Sequence, residues 1–181
     1  IRAVLGSGAF GTNRRTVAWN TGLLQDGWSL EGRASRITSD GYVDRATSDL
    51  SSLYGRLAKR WETGRASLTT TLGHERTYQA WYGVPQIVAN PESTDEEILN
   101  WVQGSGEYNY GADTVRVNDL LVRRAQHNYY RYENEVDDYR QDHYQLHLDQ
   151  QVGNWDLGAV AYATKGAGFY EQFRQDEDFA D

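Results

Sequence analysis

Trp28-Ser29-Leu30-Glu31-Gly32-Arg33-Ala34-Ser35 alternates strictly, with Trp28, Leu30, Gly32 and Ala34 on one side and Ser29, Glu31, Arg33 and Ser35 on the other. A period of two is the mark of a β-strand, whose successive side chains point to opposite faces. Its polar side carries charges and its apolar side ends in an aromatic. That predicts a strand with lipid against the apolar side and a wet lumen against the polar side.

The pattern repeats in both directions from this strand. Residues 1–11 read as a weaker first strand ending at Gly8-Ala9-Phe10-Gly11, and residues 16–24 as a second with Val17, Trp19, Thr21 and Leu23 facing one way. Downstream, Leu53, Gly55 and Leu57 lead to Trp61, Ala66 to Leu72 follow, and alternation resumes at His143 and again at Trp155. Gln25-Asp26-Gly27, Glu62-Thr63-Gly64-Arg65 and Gly153-Asn154 read as tight turns. The other connectors are longer: residues 39–49, and one very long segment of about 77–140. Outer-membrane barrels show this asymmetry, with short periplasmic turns and long extracellular loops. Trp28, Trp61 and Trp155 each stand beside a short turn, where an interfacial girdle of aromatics would lie.

Composition is compatible with that reading. The chain has 181 residues, 39% hydrophobic, a mean hydropathy of −0.76, and 13% aromatics, including 13 Tyr and 6 Trp. The aromatic content argues against disorder. No run approaches the roughly 20 apolar residues of a membrane-crossing helix, which leaves barrels open. A net charge of −8 argues against nucleic acid as a partner. With no Cys, disulfides and thiolate chemistry are excluded. The chain starts at Ile1 with no Met and no leader pattern, so the expectation is an internal piece of something larger.

Inside the long connector, residues 94–101 predict a short helix capped by Ser93 or Thr94 with acids in its first turn. Val115 to His127 predicts a second, with Asn118 or Asp119 preceding Leu120-Leu121-Val122-Arg123-Arg124. Two aromatic clusters are candidate solute-binding walls: Tyr78, Trp81 and Tyr82, and Tyr129, Tyr130 and Tyr132 with His127. The alternative for both is packing at the loop base.

Glu31, Arg33, Arg56, Arg60, Glu75, His143 and His147 are expected to line the lumen, since an Arg facing hydrocarbon at mid-depth costs about 2–4 kcal/mol. His143 and His147 would lie about 13 Å apart on a strand, too far for one metal ion, so no metal site is expected. The acidic runs at residues 95–97, 133–142 and 176–178 lack the spacing of a calcium loop and read as solvated charge. The Gly-x-Gly-x-x-Gly spelling at residues 6–11 opens no helix, and no Gly-x-Ser-x-Gly elbow occurs, so neither nucleotide binding nor enzymatic activity is expected.

Several phrases resemble the barrel region of TonB-dependent outer-membrane receptors. They are Ser39-Asp40-Gly41-Tyr42-Val43-Asp44-Arg45-Ala46 with Ser48-Asp49-Leu50, Tyr78-Gln79-Ala80-Trp81-Tyr82-Gly83-Val84-Pro85, and Tyr139-Arg140-Gln141-Asp142-His143-Tyr144-Gln145-Leu146-His147. Tyr170-Glu171-Gln172-Phe173 and Asp176-Glu177-Asp178-Phe179-Ala180 fit the same family, and the stretches follow one another in the expected order. The resemblance implies a barrel of about 22 strands closed around a plug. It also implies energy supplied by the TonB complex and uptake of a scarce solute, an iron-siderophore complex first, with haem, cobalamin or oligosaccharide as alternatives. There is room here for about seven strands of ~10 residues, and no plug or TonB-box segment is recognisable.

The expectation is therefore an all-β, antiparallel up-and-down transmembrane β-barrel, present in part, with residues 1–181 forming part of one barrel domain in a Gram-negative outer membrane. Its partners would be lipid, the TonB complex and a small solute such as a ferric chelate, with no cofactor. A soluble β-barrel or sandwich holding a ligand inside is the competing fold, and an outer-membrane barrel enzyme a third.

Overall fold

In the computed structural model, residues 1–106 and 108–173 are described. They form one seven-stranded antiparallel sheet in which every strand pairs with its sequence neighbours, in the order β1 to β7. The strands are β1 Arg2–Ser7, β2 Asn13–Asn20, β3 Trp28–Ser39, β4 Ser48–Trp61, β5 Gly64–Tyr78, β6 Val136–Val152 and β7 Trp155–Tyr170. The sheet is not closed: β1 and β7 are its two edges.

Register brings the apolar positions into continuous rows. Leu30 pairs with Leu57, Leu57 with Leu68, Leu68 with Leu146, and Leu146 with Ala161. One row away run Trp19, Gly32, Gly55, Thr70, Tyr144 and Ala163. Since cross-strand partners share a face, Val17, Trp19, Trp28, Trp61 and Trp155 belong to this same face. These rows cover little of one another: Leu30, Leu57, Leu68 and Leu146 are 45%, 43%, 51% and 51% exposed. Among the described residues, Val136 at the start of β6 is the single buried hydrophobic residue within a strand.

The buried core lies elsewhere, in the segment between β5 and β6. Helices α1 Gln86–Ala89, α2 Asp95–Gly104 and α3 Thr114–Arg123 enclose Val88, Ile98, Val102 and Leu120 together with Tyr108 and Tyr110. Helix α2 begins at Thr94 with a reciprocal cap: the Thr94 hydroxyl accepts from Glu97 N at 3.2 Å, and the Thr94 N–H donates to Glu97 Oε2 at 2.7 Å. The Thr94 N–H and hydroxyl, both donating to Glu97 Oε2, hold that carboxyl below the usual carboxylate range. Helix α3 is capped by Asp113, whose Oδ1 accepts from Val115 N and Arg116 N.

Several expected boundaries move. The second strand ends at Asn20 instead of continuing to Leu24. There the Asn20 side chain accepts from Gly22 N and the Thr21 hydroxyl from Leu30 N, so local polar groups divert the backbone. Helix α3 starts one residue before the expected Val115 and ends at Arg123, short of His127; Asp113 takes its first free N–H groups, so Asn118 and Asp119 lie inside it. The long connector spans residues 79–135, not 77–140, since β6 already pairs at Val136. The β2–β3 connector, residues 21–27, is longer than the tight turn expected, while Glu62-Thr63 and Gly153-Asn154 are two-residue links on that same rim. The opposite rim carries residues 8–12, 40–47 and 79–135. The acidic run at residues 176–178 lies outside the described residues.

Candidate functional site: an aromatic shelf over a polar sheet face

The two aromatic clusters read from the sequence form one surface. Tyr78 ends β5, and its hydroxyl donates to the Tyr132 carbonyl at 2.7 Å. Trp81 sets its ring against Tyr130 at 6.2 Å and Tyr170 at 5.9 Å between centroids. Tyr82 lies 4.8 Å from Tyr129 and 5.7 Å from Tyr130, and Tyr132 stacks on Phe173 at 5.5 Å. Trp81, Tyr82, Tyr132, Tyr170 and Phe173 keep open surface, whereas Tyr130 is buried beneath them. Burial raises the Tyr130 phenol above its ordinary range, with Tyr82 adding to the effect.

His127 belongs to the packing and not to the open surface, since its side chain is wholly buried. Its Nδ1 lies 2.7 Å from Asp119 Oδ2 and its Nε2 lies 2.8 Å from the Tyr110 hydroxyl. A carboxylate can only accept, so Nδ1 carries the proton and Nε2 accepts from Tyr110. Burial pushes the imidazole below its ordinary value, and Asp119 pulls partly the other way. Burial likewise keeps the Tyr110 phenol protonated far above neutral pH. Arg116 lies over the Tyr110 ring at 4.1 Å and donates to the Tyr129 carbonyl at 2.8 Å.

Three polar residues moor the shelf. Glu135, buried, accepts through Oε2 from Arg131 N and Tyr132 N at 2.7 and 2.8 Å and through Oε1 from Phe173 N at 3.3 Å. Asn128, also buried, donates to the carbonyls of Asp44 and Gln79 and accepts from Tyr130 N. Arg45 donates to the Tyr130 carbonyl at 2.9 Å and pairs with Asp44 at 2.6 Å. It holds φ at +62°, a left-handed conformation a non-glycine residue adopts only when its surroundings fix it. The β3–β4 connector is thereby fastened to the insert.

Below the shelf, register places Glu31, Arg33, Arg56, Arg60, Glu75, His143 and His147 on one face of the sheet, opposite the leucine rows. Glu31 accepts from Tyr54 at 2.7 Å and from Asn20 at 3.0 Å, with Arg56 at 3.8 Å. Arg65 pairs with Asp149 at 2.6 Å on the same face, beside a groove of about 190 Å³ that also reaches Ser67 and His147. His143 meets Thr164 at 3.1 Å and His147 meets Gln145 at 3.4 Å, so the two histidines serve separate contacts. No group of three or more potential metal ligands occurs among the described residues.

Charges also occupy the leucine face, most of them beyond the apolar rows toward the long-connector rim. There Arg36 pairs with Asp49 at 2.5 Å, Asp138 with His74 at 2.8 Å and Arg76 at 3.6 Å, and Asp142 with Arg140 at 3.2 Å. Toward the other rim, Lys59 folds its ammonium over the Trp28 ring at 4.9 Å and donates to the Asp26 carbonyl.

The sequence reading missed Tyr170, Phe173, Tyr108, Tyr110 and Arg116 at this site. Tyr170 had a usable signal, because extending the Trp155 alternation to its end puts it beside Asp137. Phe173 follows β7 and is drawn in by its N–H bond to Glu135, while Tyr108, Tyr110 and Arg116 reach the shelf through the fold of the insert, which no local pattern encodes. No family model, curated protein or solved structure matches the chain.

Proposed function

We propose that this chain is a wall segment of an outer-membrane β-barrel that takes up a scarce solute in a TonB-dependent manner, with the insert and its aromatic shelf on the extracellular rim. The observation that carries the reading is the sheet's division into a broad, exposed leucine-and-alanine face and a polar, hydrogen-bonded face. A soluble barrel needs a packed apolar interior, and the described strands bury almost no hydrophobic side chain.

Dimensions support the same reading. On β7 the apolar face runs from Trp155 to Ala163. Nine residues at ~3.3 Å each, tilted by ~45°, would cover roughly 20 Å of depth, near the ~25 Å apolar band of such barrels. Trp28, Trp61 and Trp155 would mark the periplasmic interface, and the ion-paired belt from Arg36 to Asp142 the outer one. Further strands would cover the β1 and β7 edges, which otherwise invite aggregation.

A ferric chelate is the first solute proposed. It would be held by the aromatic shelf, guided along the Glu31–Tyr54–Arg56 face, and driven by the TonB complex acting through a plug. Bilayer reconstitution tests the core of this reading: lipids brominated at mid-chain should quench the tryptophans of the apolar face, Trp19 foremost. Full emission in those lipids would defeat it.

A further inference from the structure

The insert combines an open aromatic surface with an uneven supply of charge. Residues 79–135 hold nine Asp and Glu against four Arg and no Lys. Three of those four guanidiniums are already committed. Arg116 stacks on Tyr110 and bonds the Tyr129 carbonyl, Arg123 faces Asp44 and Asp119, and Arg124 holds Asp95 and the Ser93 carbonyl. Arg131 alone keeps a side chain without a partner among the described residues.

Glu135 and Glu171 beside the shelf are partnered, but three other carboxylates along this side of the sheet are in the opposite condition. Glu133 follows Tyr132 in the chain and is exposed, Asp137 is the register partner of Tyr170, and Glu75 lies one step further down the same face. None of the three has a side-chain partner among the described residues. A polyanionic solute is normally gripped by free guanidiniums in bidentate contact. Among the described residues this shelf offers it one such group amid three unpaired carboxylates. A neutral or positively charged solute meets flat aromatic faces and a favourable field instead.

We propose that the shelf selects a neutral or cationic ferric chelate with a flat apolar face and rejects polyanionic ones. This rests on the uptake reading above and narrows its substrate class. The test titrates the full chain in detergent with three ferric complexes: a linear trihydroxamate bearing a free amine, a neutral cyclic trihydroxamate, and a trianionic tris-catecholate. The first two should bind about tenfold or more tightly than the third at low ionic strength, with the gap closing as salt screens the carboxylates. Glu133→Gln with Asp137→Asn should narrow the gap without salt, while Trp81→Ala should weaken all three complexes alike.

Equal or tighter binding of the tris-catecholate overturns the charge selection and leaves the uptake reading standing. A gap insensitive to both salt and the double variant also overturns it. Failure of all three complexes to bind overturns the ferric-chelate assignment itself, and quenching by brominated lipid then reports separately on the membrane reading.

Discussion

The indole of Trp19 lies flat on Gly32: a Cβ built at residue 32 would stand 2.2 Å from Trp19 Cζ2. The two residues are cross-strand partners on the leucine face, and glycine is what lets the ring lie down along the sheet. Gly32→Val should lift the indole, cost about 1–3 kcal/mol and change Trp19 emission. Unaltered fluorescence and denaturation midpoint would show that the ring has another place to go.

The leucine rows and the insert core should answer differently to substitution. Leu120→Ala removes a wholly buried side chain between helices, and is expected to cost about 2–5 kcal/mol of insert stability. Leu146→Arg should leave the insert intact and cost about 2–4 kcal/mol of folding into a bilayer. If Leu146→Arg proves silent in lipid, the leucine face does not meet acyl chains. Amide exchange in α2 and α3 distinguishes the two effects.

Helix α3 depends on its single side-chain cap. Asp113→Ala withdraws the acceptor shared by Val115 N and Arg116 N and should cost about 1 kcal/mol. Faster amide exchange at the first turn of α3 is the expected signature, with Asp113→Asn retaining most of the protection.

Acid should loosen the insert through His127. Its folded-state value is lowered by burial, so the neutral ring is the form the fold accepts. The unfolded chain binds a proton near pH ~6.5, which means the stability is fully present above that pH. It is lost as pH falls toward the lowered folded value. The titratable and charged groups around the ring are Asp119, Tyr110, Tyr108, Arg116 and Arg45. Amide protection of Ile98 and Leu120 should therefore fall as the pH drops below about 6.5. His127→Gln should flatten that dependence; an unchanged profile would assign it to another group.

Strand identity was legible because period-two alternation is a local property, and the register later aligned Leu30, Leu57, Leu68 and Leu146 without a slip. Strand ends were less legible. β6 and β7 run past the apolar band on residues such as Asp138, Arg140 and Lys165, whose charge reads as loop until a neighbouring strand pairs with them. The helix after Thr94 could be read from its cap and acidic first turn; the start of the next was read to within a residue, but its true cap, Asp113, was passed over for Asn118 or Asp119. Asp119 is used by His127 and Arg123 instead. The two aromatic clusters were found separately, and only the fold of the insert joins them. The open or closed state of the sheet has no local signal at all.

Asn128 and Arg45 tie the insert to the β3–β4 hairpin through main-chain carbonyls, so the two cannot part without leaving buried polar groups unmatched. Whatever pulls the tyrosines outward must therefore drag Asp44 with them, and the tug arrives at Ser48 and Ser39, where β4 and β3 meet the rim. An event above the sheet is thus handed to two strands remote in sequence from the rings that first feel it.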